Sequence, residues 1–324
     1  MRITNPMVTR NYTRNLQTNA ARLDRFSRQV QTGRRFESFA DNNASAVRAM
    51  QVRRNLERID ANLDNARAAQ SFLRTGESML MQINNNTHTI ADRFIVALNG
   101  TNSATERQII ANELERIQEG ILGLANGQYA GRHLFGGSNT ITPPFTVGDD
   151  GRLMYNGVAL ADMDSSHELF SDGAYIDIGM GVTFNGADPT RPDAGSAFRF
   201  TLVGAQFMGT GPHNLYDTIT EMITFLRNDP IDNVEGGALL DQFRGAQSVV
   251  NIQTTMLGAD TAFLEFSISR LLDEQLNLIE RQQDLEIRPP EEAILDFKMA
   301  EFIYNATLQM GQRLLQPTLF DFIR

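Results

Sequence analysis

The sequence predicts a mainly α protein, a long antiparallel helical, coiled-coil rod made by both chain ends, with a small β-rich domain inserted between its halves. Three observations predict it. Apolar residues at both ends recur every three or four positions in one narrow stripe, the spacing of a helix that packs on a single partner. Two interior stretches hold that spacing for many residues. Between them, Gly137 to Pro212 abandons it for short apolar runs among Gly, Asp and Pro.

The N-terminal helix follows from Val8, Tyr12, Leu16, Asn19, Leu23, Phe26 and Val30, with Asn5-Pro6 as its start and Gly33 as its stop. A second pattern runs from Val52 to Ala97, blurred only near Gly76, and spans roughly 70 Å at ~1.5 Å per residue. A third carries Ile110, Leu114, Ile117, Ile121 and Leu124 and stops at Asn126-Gly127. In the middle stretch, Leu153 to Leu160 reads as a hairpin, because Asn156-Gly157 tolerates the positive φ of a type I′ turn. Further strands are expected at Tyr175–Ile178, Val182–Phe184 and Ala197–Val203. Helices return at Asn214–Arg227. A long pattern from Phe243 to Leu285 follows, mixing apolar and polar positions; polar seam residues lower stability but hold register. Pro289-Pro290 interrupts, and Glu291-Glu292 open the last helix where its dipole favours acids. Phe297, Ala300, Tyr304, Leu308, Gly311 and Leu315 form its seam, and Leu319, Phe320, Phe322 and Ile323 leave an apolar end that needs a cover.

The pattern divides the chain into an assembly domain (1–35 and 291–324), a helical domain (36–137 and 212–290) and the β-rich insertion (138–211). The assembly interface is expected at Val8, Tyr12, Leu16, Leu23, Phe26, Val30, Phe297, Tyr304, Leu308, Leu315, Leu319 and Phe322. The net charge of −10 argues against general nucleic-acid binding. Eight arginines against one acid in the first 35 residues make a basic end, read as a solvated flank. Its seam is too narrow for a membrane-surface helix. No run approaches the ~18 apolar residues of a membrane span, and Met1–Met7 lacks the apolar core of a cleaved signal.

Catalytic, cofactor and metal sites are not expected. Absence of cysteine excludes thiolate metal sites and disulfides. His88, His133, His167 and His213 stand in no ligand spacing, and the Gly179-Met180-Gly181 and Gly209-Thr210-Gly211 pairs lack the strand-then-helix context of a nucleotide site. Asp149-Asp150, Asp188 and Asp193 form no calcium loop.

Motifs at both ends carry a resemblance. Met1–Met7, Gln31-Thr32-Gly33-Arg34-Arg35-Phe36, Ala46-Val47-Arg48-Ala49, Tyr129-Ala130-Gly131-Arg132-His133-Leu134-Phe135-Gly136-Gly137, Tyr304–Gln309 and Gln316–Phe322 are similar, in order, to the flagellin family of bacterial axial proteins, and most to its members at the hook–filament junction. About the first 137 and last 110 residues share it. Two connections depart from the family: Asp41-Asn42-Asn43 replaces Asp-Asp-Pro, and Ile287–Glu291 replaces an Asp-rich link. The resemblance implies a structural protein of the extracellular flagellum, self-assembled into a helical array or ring. It implies contact with the first hook-associated protein and with flagellin, and a cytoplasmic export chaperone on the C-terminal segment before unfolded type III export. A short filament flagellin and an unrelated coiled-coil scaffold or adhesin are the rival readings.

Overall fold

The computed structural model describes residues 5–36, 43–99, 103–171, 173–184, 192–193 and 195–314. Five long helices dominate: α1 (Asn5–Thr32), α2 (Asn43–Leu98), α3 (Ala104–Ala125), α7 (Asn233–Glu286) and α8 (Pro290–Leu314). Between α3 and α7 lie β1 (Gln128–Tyr129), β2 (Arg132–His133), β3 (Phe145–Val147), β4 (Leu153–Tyr155), β5 (Val158–Ala159), a 3-10 turn (Leu160–Asp162), α4 (Glu168–Ser171), β6 (Tyr175–Ile176), β7 (Phe198–Arg199), α5 (Gly204–Met208) and α6 (Leu215–Arg227). The mainly α class with small inserted sheets is as expected. None of the described helices is long and apolar enough to cross a membrane.

Helix ends fall where the local chemistry puts them. Gly33 adopts φ 67° and donates its N–H to Gln29 O, closing α1. Ser103 and Glu106 cap the start of α3 reciprocally, with Ser103 N–H on Glu106 Oε2 at 2.7 Å and Glu106 N–H on Ser103 Oγ at 3.3 Å. The Asn214 side chain accepts from Asp217 N–H at the head of α6. α2 runs unbroken through Gly76, where a Cβ would collide with the Leu202 side chain, so the glycine admits a close neighbour at the cost of helix propensity.

The chain forms two compact units, Met1–Asp60 with Asp273–Arg324, and Ala61–Leu272. In the second unit the long seam of α7 buries Phe243, Val250, Leu257, Leu264 and Leu271, one residue per heptad. Gln247 Nε2 donates to Thr87 Oγ1 at 3.2 Å, so a polar seam position finds its partner on α2. The inserted segment shares this core. Phe145, Leu153, Tyr155, Leu160, Val203 and Phe207 belong to the same buried cluster as Leu114, Ile121, Ile219 and Phe243.

The hairpin expected at Asn156-Gly157 is present: β4 pairs antiparallel with β5, and the two turn residues take φ 47° and 86°. The other strands are shorter than expected. Ala197–Val203 pairs only through Phe198–Arg199, because Val203 turns away into a bridge with Gly136 and Gly204 opens α5 beneath the Phe145 ring. Of Val182–Phe184, the structure has a single bridge from Phe184 to Pro192.

Candidate assembly interface

The first unit is built on the antiparallel pair α1–α8. Its line on α1 is Val8, Tyr12, Leu16, Asn19, Leu23 and Phe26, all half-buried. α8 answers with small residues, Ala293, Ala300 and Gly311, which are buried, and with half-buried Phe297, Tyr304 and Thr307. Large against small lets the axes approach closely. Gly311 lies directly under the Tyr12 phenol, where any Cβ would collide with the ring. At mid-seam Asn19 Nδ2 donates to Thr307 Oγ1 at 2.9 Å, a polar pair that disfavours register slips.

Two expected seam residues stand elsewhere. Val30 is 39% exposed, because the chain turns at Gly33 and Gln29 takes the inward position, donating to Arg35 O at 2.7 Å. Leu308 is 38% exposed; the line through Ala300, Tyr304 and Gly311 passes through Thr307 instead. Leu315, Leu319 and Phe322 lie outside the described residues.

At the open end of the pair, the two connections lock together. Arg34 bridges Ile287, Arg35 N–H donates to Glu286 O, and Arg288 N–H donates to Gly33 O. Arg288 is the hub. Its guanidinium donates to Gln29 Oε1 and to the Asp296 carboxylate and stands 5.6 Å from the Phe26 ring centroid. Beside it Arg53 grips Glu286 with two hydrogen bonds of 2.7 and 2.6 Å. These bonds, chiefly, hold the Glu286 carboxyl below its ordinary 4.5, against burial, with Gln282 and Arg34 assisting; the Arg53 guanidinium is raised in turn. A depressed carboxyl contributes stability that is fully present above its unfolded value and lost as pH falls through the folded one. Acidification below about pH 4.5 should therefore weaken hydrogen-exchange protection at 286–288 and 33–35. Glu286→Gln should flatten that acid limb, and an unchanged limb in the variant would contradict the assignment.

Sequence reasoning missed this clasp. Arg53 and Glu286 are 233 residues apart, and nothing local marks them as partners. It also missed a second stripe that was legible. On the side of α8 opposite the seam, Leu295, Met299, Phe302, Ala306 and Met310 step by four, three, four and four. They span about 22 Å at ~1.5 Å per residue. Leu295 is 67%, Met299 57%, Phe302 71% and Met310 65% exposed. α8 thus has two apolar faces, one covered by α1 and one bare.

Among the described residues no group of three or more His, Asp or Glu is placed to hold a metal ion. His133 is buried and serves the fold, between Asn126 O at 2.8 Å and Gln128 Nε2 at 3.0 Å.

A helix pair that joins the N- and C-terminal segments, with a further apolar stripe left bare on α8, has the form of a helical assembly subunit. Residues 3–140 match the bacterial flagellin N-terminal helical region. The chain is 24% identical over 295 residues to flagellar hook-associated protein 3 of Escherichia coli K12, covering 88% of each. Solved structures share the fold: one described as a flagellar hook-associated protein from Vibrio parahaemolyticus (TM-score 0.62, 17% identity, 76% of this chain and all of that one), and the flagellar junction protein FlgL from Legionella pneumophila (TM-score 0.54, 15% identity, 74% of this chain and all of that one). The resemblance to the flagellin family and to its junction members is borne out.

Proposed function

We propose that this protein is a structural subunit of the bacterial flagellum at the hook–filament junction, on which flagellin polymerises. The observation that carries the reading is the bare stripe on the side of α8 opposite the α1–α8 seam, set against relatives named hook-associated protein 3 and junction protein. A monomer gains nothing by presenting four large apolar side chains at seam spacing; an array of copies buries them. Residues 1–35 and 291–324 are the assembly domain, 36–137 with 212–290 the helical domain, and 138–211 the variable segment. The partners are further copies, the first hook-associated protein below, flagellin above, and an export chaperone that covers the C-terminal segment before type III export. The work is packing, coupled to ordering of the chain ends, and involves no catalysis.

Leu295→Asp with Phe302→Asp should cost the purified chain no more than about 1 kcal/mol, a few degrees of melting temperature, since both side chains are exposed, and should remove the protein from flagella. Normal incorporation would exclude the stripe as an interface. In cells lacking the gene, electron microscopy should find bare hooks, with flagellin shed into the medium. Bare hooks without shed flagellin would make the protein a filament subunit instead.

A further inference from the structure

The outward face of α1 is as distinctive as that of α8, in charge. Arg10, Arg14, Arg22, Arg25 and Arg28 fall within an arc of about 120°, along about 27 Å of helix, with Arg22 bordering the seam beside Phe26 and Met299 and the other four turned away from it. All five are exposed. The one acid on this helix, Asp24, lies at the edge of the arc and pairs with Arg28 at 2.9 Å. Among the described residues Arg10, Arg14, Arg22 and Arg25 have no carboxylate partner; Arg14 reaches Asn11 and Arg25 lies against the Phe26 ring. Like charges at this spacing repel, and their mutual repulsion is relieved by an acidic surface.

The chain itself carries that surface. Met1–Asp60 with Asp273–Arg324 contains 17 basic and 15 acidic residues, a net charge of +2, all of its surplus in the first 60 residues. Ala61–Leu272 contains 12 basic and 24 acidic residues, a net charge of −12. Part of that negative charge lies where α3 packs on α6. Glu115 and Glu119 on α3, and Asp217 and Glu221 on α6, repeat at the same one-turn spacing as the arginines; Glu115 is shared with Arg227 at 2.7 Å, and half-buried Asp217 accepts from Asn214 Nδ2 at 2.7 Å. Their field is felt locally: burial first, then the carboxylates of Asp217, Glu119 and Glu115, push the Tyr216 phenol up. A single exposed ion pair contributes little, but complementary rows steer association and set register.

We propose that the arginine stripe of α1 docks on the acidic α3–α6 face of another copy of this chain. The contact joins different patches on the two copies, so it propagates as a ring or an open helical series instead of closing an isologous dimer. The proposal deepens the assembly reading and rests on it. A membrane surface is the poorer occupant, because the apolar face a surface-lying helix would insert is already covered by α8.

The test is sedimentation velocity of the full chain at about 50 mM and about 500 mM NaCl, across which screening of exposed charges becomes strong. Self-association should weaken at least tenfold at the higher salt. It should weaken comparably at low salt in Arg10→Glu/Arg14→Glu/Arg22→Glu/Arg25→Glu, and in Glu115→Lys/Glu119→Lys/Asp217→Lys/Glu221→Lys. An equal mixture of the two variants should recover association, since their altered faces complement each other. The Arg→Gln set, which keeps helix propensity, should show an intermediate loss with unchanged circular dichroism. Association indifferent to salt and to both sets would overturn the docking, as would failure of the mixture to recover. Capture of the chain by phosphatidylserine vesicles in an arginine-dependent way, without salt-sensitive self-association, would overturn it in favour of a membrane. A wild-type chain that remains monomeric at low salt yet still enters flagella would remove this contact and leave the assembly reading standing. Absence from flagella would remove both.

Discussion

Phe145→Ala is expected to destabilise the unit Ala61–Leu272 by about 3–5 kcal/mol, the usual loss for a fully packed phenylalanine. The side chain is 2% exposed, and its ring centroid stands 5.2 Å from that of Tyr155 and 6.1 Å from that of Phe207. Gly204 presses against its edge, so the space it leaves cannot be refilled without moving α5. Its backbone is held as tightly. Asn126, which ends α3, accepts from Phe145 N–H and donates to Phe145 O, both at 2.9 Å. A melt of the purified chain should show the loss as a drop of roughly 10 °C. A shift under about 2 °C would mean that the inserted segment is energetically separate from the helices. Removing Ser138–Gly211 altogether should, for the same reason, unfold this unit and not merely trim it. The deletion strips several buried side chains, each contributing about 1.5–3 kcal/mol, from a domain whose total stability is on the order of 5–15.

The second large effect is expected at Arg288. Replacing it with alanine removes the donors to Gln29 and Asp296 and the cation beside Phe26, with only 15% of the arginine side chain exposed. Hydrogen bonds to charged groups contribute about 1.5–3 kcal/mol each, less here because Asp296 is 44% exposed and stays solvated. A net loss of about 2–3 kcal/mol in the unit formed by the chain ends is expected. Hydrogen exchange read at α1 and α8 should accelerate on that scale, while α3 and α6 keep their protection. Arg288→Lys should recover only part of it, because an ammonium cannot serve both acceptors with the planar fork of a guanidinium. Equal protection in the variant would show that the pair holds by its seam alone.

Much of this architecture could be read from local pattern. The helix boundaries at Gly33, Asn126 and Pro290 and the hairpin turn at Asn156-Gly157 need only near neighbours, because caps and turns are settled by φ preferences and by hydrogen bonds within a few residues. The heptad line of α7 was equally plain. Less was legible where the choice lay between adjacent residues on a helix. Leu308 satisfies a three-or-four spacing as well as Thr307 does, and only the presence of Asn19 across the seam makes the threonine the inward one. Val30 lost its place to Gln29 in the same way, through a carbonyl and a guanidinium supplied by residues 35 and 288.

What the sequence determined by itself was therefore the six longer helices and several of the turns that end them, but not α4 or α5, since periodicity and capping act over one or two helical turns. Tertiary structure alone decided which side chains meet. The Arg53–Glu286 grip, the Arg288 hub and the seating of Phe145, Leu153, Tyr155 and Phe207 in the helical core all join residues far apart in the chain. Such contacts depend on how elements cross, and shape complementarity and polar satisfaction choose among partners that local pattern leaves equivalent.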